Sequence, residues 1–182
     1  MLWKNKVSAE QKADMVGYYL PGWAFLAAVN LAKEVPAFKI RHEEESNLEL
    51  VIEIIAFYMH VANRLAFRDL GSQQVSKFSH RLMVVVANGV TTALHHDLSS
   101  VDVISQLRDT YNRREVEYAA YRKFVPDGDE PMAGTLFWEF TKVLFYLFIN
   151  SDNTFDLLQI RNTMVPEICG FLKKTNEVLG LA

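Results

Sequence analysis

Arg114 stands where a helix of this chain should turn only apolar groups inward. Val103, Leu107, Tyr111, Tyr118, Tyr121 and Val125 recur at helical spacing, and Arg114 interrupts that arc between Tyr111 and Tyr118. A guanidinium cannot shed its charge, so one aimed at the protein requires a carboxylate, an anion or an aromatic face. Glu53 and Glu139 are the acidic candidates, each being the acid in a polar strip on a largely apolar segment. The chemistry this would support is an internal pocket, lined also by Tyr111, Glu53 and Glu139, in which Arg114, Tyr118 and Tyr146 bind an anionic ligand. The plainer expectation is a structural ion pair, or an arginine that lays its stem over the core and keeps its head wet.

His95-His96-Asp97 is the other suggestive string, because adjacent imidazole and carboxylate groups at a helix end can ligate one divalent metal. The His-Asp dipeptide is similar to that of the His-Asp phosphohydrolases, which are also all-helical. The glycine and lysine that often follow it there are replaced here by Leu98-Ser99-Ser100, and nothing beyond the dipeptide carries over. His60 or His80 could supply a further imidazole, and Asp102 or Asp109 a further carboxylate. Against the metal role stands a simpler expectation, that His95 and His96 complement the macrodipole at a helix C-terminus.

Complete catalytic patterns are missing. None of the 13 glutamates has a histidine three residues later, which removes the Glu-x-x-His pairs of di-iron bundles. His42-Glu43-Glu44-Glu45 lacks the second histidine of a zincin, Ser46 standing in its place, and there is no Walker loop, Gly-x-Ser-x-Gly elbow or Cys-x-x-Cys. No cofactor is expected. Cys169, the single cysteine, is expected to be an inert buried thiol beside Ile168. Arg161 falls inside an apolar arc and calls for an acidic neighbour or a subunit contact.

The elements that must position these groups are helices. Ser8-x-x-Gln11 has capping-box form, and Pro21-Gly22 is expected to interrupt the helix it opens, with a second, largely enclosed helix over 21–35 that ends at Pro36. Ser46-x-x-Glu49 opens a helix to about Asp69, with Gly71 as its C-cap. On it Glu49, Glu53, His60, Arg64 and Arg68 share one stripe, expected to be a solvated face. Ser72 caps the next helix, reaching His95 or His96. Val84-Val85-Val86 would suit a strand, but no second strand exists to pair with it. Ser99 or Ser100 starts the arginine-bearing helix, and Pro126-Asp-Gly-Asp-Glu-Pro131 forms a turn. A deeply buried helix follows at 131–150, and a last one is capped by Asn153 or Thr154 and kinked at Pro166.

The 182 residues, half of them apolar, suffice for one domain that buries roughly 70% of its unfolded surface without a staple. The expected fold is all-α: a single-domain antiparallel helical bundle of six or seven helices spanning 1–182. Net charge of −3 removes the basic field of a dedicated nucleic-acid binder, and the stretch 108–123 of the arginine-bearing helix has a local excess of only two positive charges. The apolar runs 82–94 and 136–149 fall short of the ~20 residues of a membrane span, and Glu10 and Asp14 precede the run 16–32. The chain is therefore expected to be soluble, cytoplasmic and free of membrane partners. Abundant aromatic surface and a mean hydropathy of +0.02 point to a non-enzymatic module acting through a protein partner, self-association into a homo-oligomer included. The alternative is a small-molecule-binding or metal-dependent hydrolytic bundle.

Overall fold

The computed structural model describes residues 7–39, 46–93, 100–124, 133–149 and 153–180. Among these residues there is no strand, and the chain is an all-α bundle. Its elements are α1 (Ala9–Glu34), α2 (Pro36–Lys39), α3 (Ser46–Leu70), α4 (Ser72–Ala93), α5 (Ser100–Tyr118), α6 (Leu136–Phe148) and α7 (Thr154–Leu179).

Helix ends follow the capping chemistry of the sequence. Gln11 N donates to Ser8 Oγ at 3.1 Å while Ser8 N donates to Gln11 Oε1 at 2.8 Å, which closes the expected capping box. Gly71 takes φ of +71°, and a single residue thereby joins α3 to α4. Thr135 caps α6, accepting from Trp138 N at 3.2 Å, and Asn153 caps α7, accepting from Phe155 N at 3.0 Å. Val84-Val85-Val86 is helical, as the want of a partner strand predicts.

Pro21 does not break the first helix. α1 runs unbroken through it, and Val16, Leu20, Ala24, Ala27 and Leu31 on either side of the proline lie on one buried face. The lost backbone bond is outweighed because that face packs continuously on α3, α4 and α7. Pro36, expected only to stop the helix, begins α2. α5 stops at Tyr118 rather than near Val125, and α6 starts at Leu136, five residues later than expected. Leu136 N donates to Lys123 O at 2.8 Å and Phe137 N to Phe124 O at 3.0 Å, so the segment after α5 is tied to the start of α6 instead of extending the helix. α6 is also less enclosed than its composition suggests. Leu136, Phe137, Phe140, Leu144 and Phe148 are buried, whereas Tyr146 and Leu147 face outward.

α3 is the axis of the bundle. Every residue from Ile52 to Ala62 is buried, because α1, α4, α5, α6 and α7 all pack on this one helix. Phe57 stacks on Phe140 of α6 with ring centroids 3.9 Å apart, and Tyr58 stacks on Phe171 of α7 at 4.3 Å. α1 lies against α4 along its closest approach, where a Cβ on Gly17 would come within 2.7 Å of Val85 Cγ1. α1 and α7 are bonded along their length: Lys12 Nζ donates to Leu179 O at 2.7 Å, Tyr19 and Thr175 share a 2.9 Å hydroxyl bond, and Trp23 Nε1 donates to Glu167 O at 3.2 Å.

The Gly17 contact is testable. Gly17→Ala should lower unfolding free energy by about 1–3 kcal/mol despite alanine's better helix propensity, because the methyl overlaps Val85. Urea denaturation measures it, and Val85→Ala in the same chain should recover part of the loss. A neutral or stabilising Gly17→Ala would mean that α1 and α4 can separate freely.

Candidate functional site

The polar stripe of α3 is not a solvated face. Glu53 and His60 are 1% and 6% exposed, Arg64 is half-buried, and only the terminal members Glu49 and Arg68 meet water freely. The reason is α5, which lies along this side of α3 and covers its middle.

Glu53 receives two arginines. Arg114 Nε donates to Glu53 Oε2 at 2.8 Å and Nη2 to Oε1 at 3.0 Å, a bidentate fork, while Arg113 Nη2 reaches Oε1 at 2.7 Å. Arg114 Nη1 donates to Glu117, one turn further along α5. Two cations therefore meet two anions, and each nitrogen of the Arg114 guanidinium is engaged by a protein carboxylate. Burial alone would lower the Arg114 pKa, but its hydrogen bonds and charge interaction with Glu53 outweigh that and hold it above the ordinary arginine value.

One turn past Phe57, His60 sits edge-on to Tyr118 with ring centroids 5.2 Å apart. Desolvation, with a smaller contribution from Arg64, lowers its pKa to about 4, so the imidazole is neutral near pH 7. Its Nε2 and the Tyr118 hydroxyl are both buried without hydrogen-bond partners among the described residues, and burial pushes the Tyr118 pKa up. Arg64 closes the seam by donating from Nη2 to Tyr118 O at 2.5 Å and from Nη1 to Tyr121 O, with its guanidinium 5.8 Å from the Phe124 ring centroid. A cation thus sits at the C-terminal end of α5, where it suits the helix dipole. Asn63 extends the seam toward α4, donating to Tyr111 Oη at 2.6 Å and accepting from Ser79 Oγ at 2.8 Å.

Of the six residues expected around an anion pocket, Arg114, Glu53, Tyr111 and Tyr118 are gathered here. Glu139 is not: it pairs with Lys142 on its own helix at 2.6 Å. Tyr146 is 74% exposed on the outer side of α6, because α7 and α3 take the opposite side of that helix. The arrangement is the ion pair rather than a ligand pocket, since Glu53 occupies the place an anion would take. Arg113, Glu117 and Asn63 are additional members. The Arg114–Glu117 spacing of three residues signals one of them in the sequence. Nothing local signals Asn63.

His95, His96 and Asp97 lie outside the described residues. Their proposed helpers do not converge, for His60 is buried against Tyr118 while His80, Asp102 and Asp109 are exposed, and no cluster of three His, Cys, Asp or Glu occurs among the described residues. Cys169 is exposed rather than buried, since it points off α7 away from the face carried by Ile168 and Phe171. Arg161 is partly buried, and its Nε has no hydrogen-bond partner among the described residues. An open groove of about 420 Å³ between α1 and α7 is lined by Asn30, Glu34, Asn162, Thr163 and Pro166. Pro166 brings no N–H there, and Asn30 Nδ2 is already bonded to Glu167 Oε1 at 2.8 Å.

Two outcomes are expected of the seam. Arg114→Leu, which leaves Glu53 with only the more exposed Arg113, should cost about 3 kcal/mol, while Glu53→Leu combined with Arg114→Leu should cost less than that single change. Chemical denaturation of the two variants and the parent decides it. The His60 pKa is lower in the folded chain than the ordinary value of 6.5, so the unfolded chain binds the extra proton as pH falls. The stability His60 permits is complete above pH 6.5 and is lost as pH drops toward about 4. His60→Phe should flatten the dependence of unfolding free energy on pH across that window, which a denaturation series at stepped pH measures.

Compared with known proteins, the chain matches no family model, no curated relative and no solved structure.

Proposed function

We propose that this protein acts by contact with another protein, and that the outward side of α1 is its contact face. The single observation that supports the reading is the placement of Met15, Tyr18, Gly22, Phe25 and Val29 along that side. Their spacing is three, four, three and four residues, the repeat by which one helix packs on another, and Leu26 adjoins them. Tyr18 is 89% exposed and Phe25 60%, with Met15, Leu26 and Val29 each about half exposed. At about 100° per residue these positions lie within one arc opposite the face that packs on the bundle.

A soluble surface scatters such residues singly; a row along about four turns marks an interaction site. With whole aromatic side chains worth about 150–250 Å² each, the row offers on the order of 500 Å² of apolar surface. α1 and α3 are both long and apolar enough to cross a bilayer. α3 is nevertheless mostly enclosed by its neighbours, and the opposite face of α1 is occupied by α3, α4 and α7. Catalysis has less support, since the Arg114 cluster is internally neutralised.

A photo-crosslinking amino acid installed at Tyr18 should capture discrete protein adducts in cells, whereas the same probe at Val116, 79% exposed on α5, should not. Denaturing electrophoresis and mass spectrometry read the adducts. No adduct at position 18, or the same smear from both positions, would sink the reading.

A further inference from the structure

We infer that the occupant of this face is a second copy of the same chain, docked helix on helix and antiparallel about a two-fold axis at Gly22. The inference rests on reading α1 as a contact face. Four members of the row are placed symmetrically about Gly22, Met15 seven residues before it and Val29 seven after, Tyr18 four before and Leu26 four after, while the position matching Phe25 is Tyr19, which is turned toward α7. Rotating one copy onto the other sets Met15 opposite Val29, Tyr18 opposite Leu26 beside Phe25, and Gly22 opposite itself. That is the self-complementarity a closed two-fold interface requires. Gly22 has open space where a side chain would stand, so the two backbones can approach at the axis while the bulky rings interleave on either side.

Charge fits the same arrangement. Between Gln11 and Lys33 the charged side chains of α1 are Lys12 and Asp14, and both are engaged within their own chain, Lys12 with Asp69 and Asp14 with Arg81, each at 2.5 Å. Closing the interface strands no lone charge. Antiparallel docking carries the Lys33 end of one helix to the Glu10 end of the other and opposes their dipoles, whereas parallel docking would stack Lys33 on Lys33. Two such faces bury about 1,000 Å², the lower bound of a specific interface. A lipid surface fits less well, because the face lacks the rim of lysines and arginines that interfacial helices carry.

The test uses the full chain with the exposed Cys169 replaced by serine. Light scattering at about 50 µM should give twice the 20.9 kDa chain mass, and Tyr18→Glu with Phe25→Glu should weaken the dimer more than about a hundredfold without loss of helical circular dichroism. Under mild oxidation Gly22→Cys should link to itself. Tyr18→Cys alone should not, but mixed with Leu26→Cys it should form the heterologous pair. A monomer at that concentration, a dimer indifferent to the two glutamates, Tyr18→Cys linking to itself as readily as Gly22→Cys, or a monomer that floats with phosphatidylcholine–phosphatidylserine vesicles would each overturn the inference. A monomer whose Tyr18 photo-adducts contain a different protein overturns the two-fold pairing and leaves the contact-face reading standing. Absence of both dimer and adducts removes both.

Discussion

A carboxylate inside a helical bundle costs several kcal/mol unless cations and hydrogen bonds meet it there, and Glu53 at 1% exposure imposes that condition on the middle of this molecule. α5 meets it with a forked arginine from within the fold and a second arginine from its margin. The requirement has geometric consequences. A bidentate fork fixes α5 in both height and rotation against α3, which brings Tyr118 edge-on to Phe57 and His60 and sets the last carbonyls of α5 within reach of Arg64. Apolar packing alone would tolerate sliding between these helices. The charged fork selects one register.

α1 shows the complementary principle. Its inner face is alanine, glycine and leucine, so it approaches α4 and α7 closely enough that Gly17 and Gly170 have no room for a methyl group, against Val85 and Trp23 respectively. Toward α7 the same helix turns Tyr19 and Trp23 against Phe171. Tyr18, Phe25 and Leu26 lie on the side opposite that inner face. α1 is thus apolar on both sides, and only one of them is covered by the bundle.

The sequence makes the helices legible wherever a cap or a glycine stop accompanies apolar periodicity, as at Ser8, Gly71 and Asn153. It misleads where a local breaker is overruled by packing, as at Pro21, and where the chain after a helix is tied to a later element, as Lys123 and Phe124 are bonded to the start of α6. Arg114 and Glu53 are recognisable as a pair because each is the odd residue on an apolar arc. His60 and Arg64 are misjudged because a polar stripe has two possible partners, water and another polar helix, and periodicity within one segment does not distinguish them. Glu139 and Tyr146 fail for a related reason: α6 has apolar residues on nearly all sides, so its composition does not reveal which side the bundle leaves open.

Lys12 gives the molecule a particular order of assembly. Its ammonium joins Asp69 at the end of α3 to the carbonyl of Leu179 at the end of α7, residues 57 and 167 positions away along the chain. On the ribosome, α1 emerges long before the helix that must complete this junction. Tyr19, Trp23 and Asn30, which also wait for α7, remain without their bonds for the same interval. A nascent chain therefore carries a half-covered first helix until its last helix is released, and that interval is when a chaperone has the most to hold.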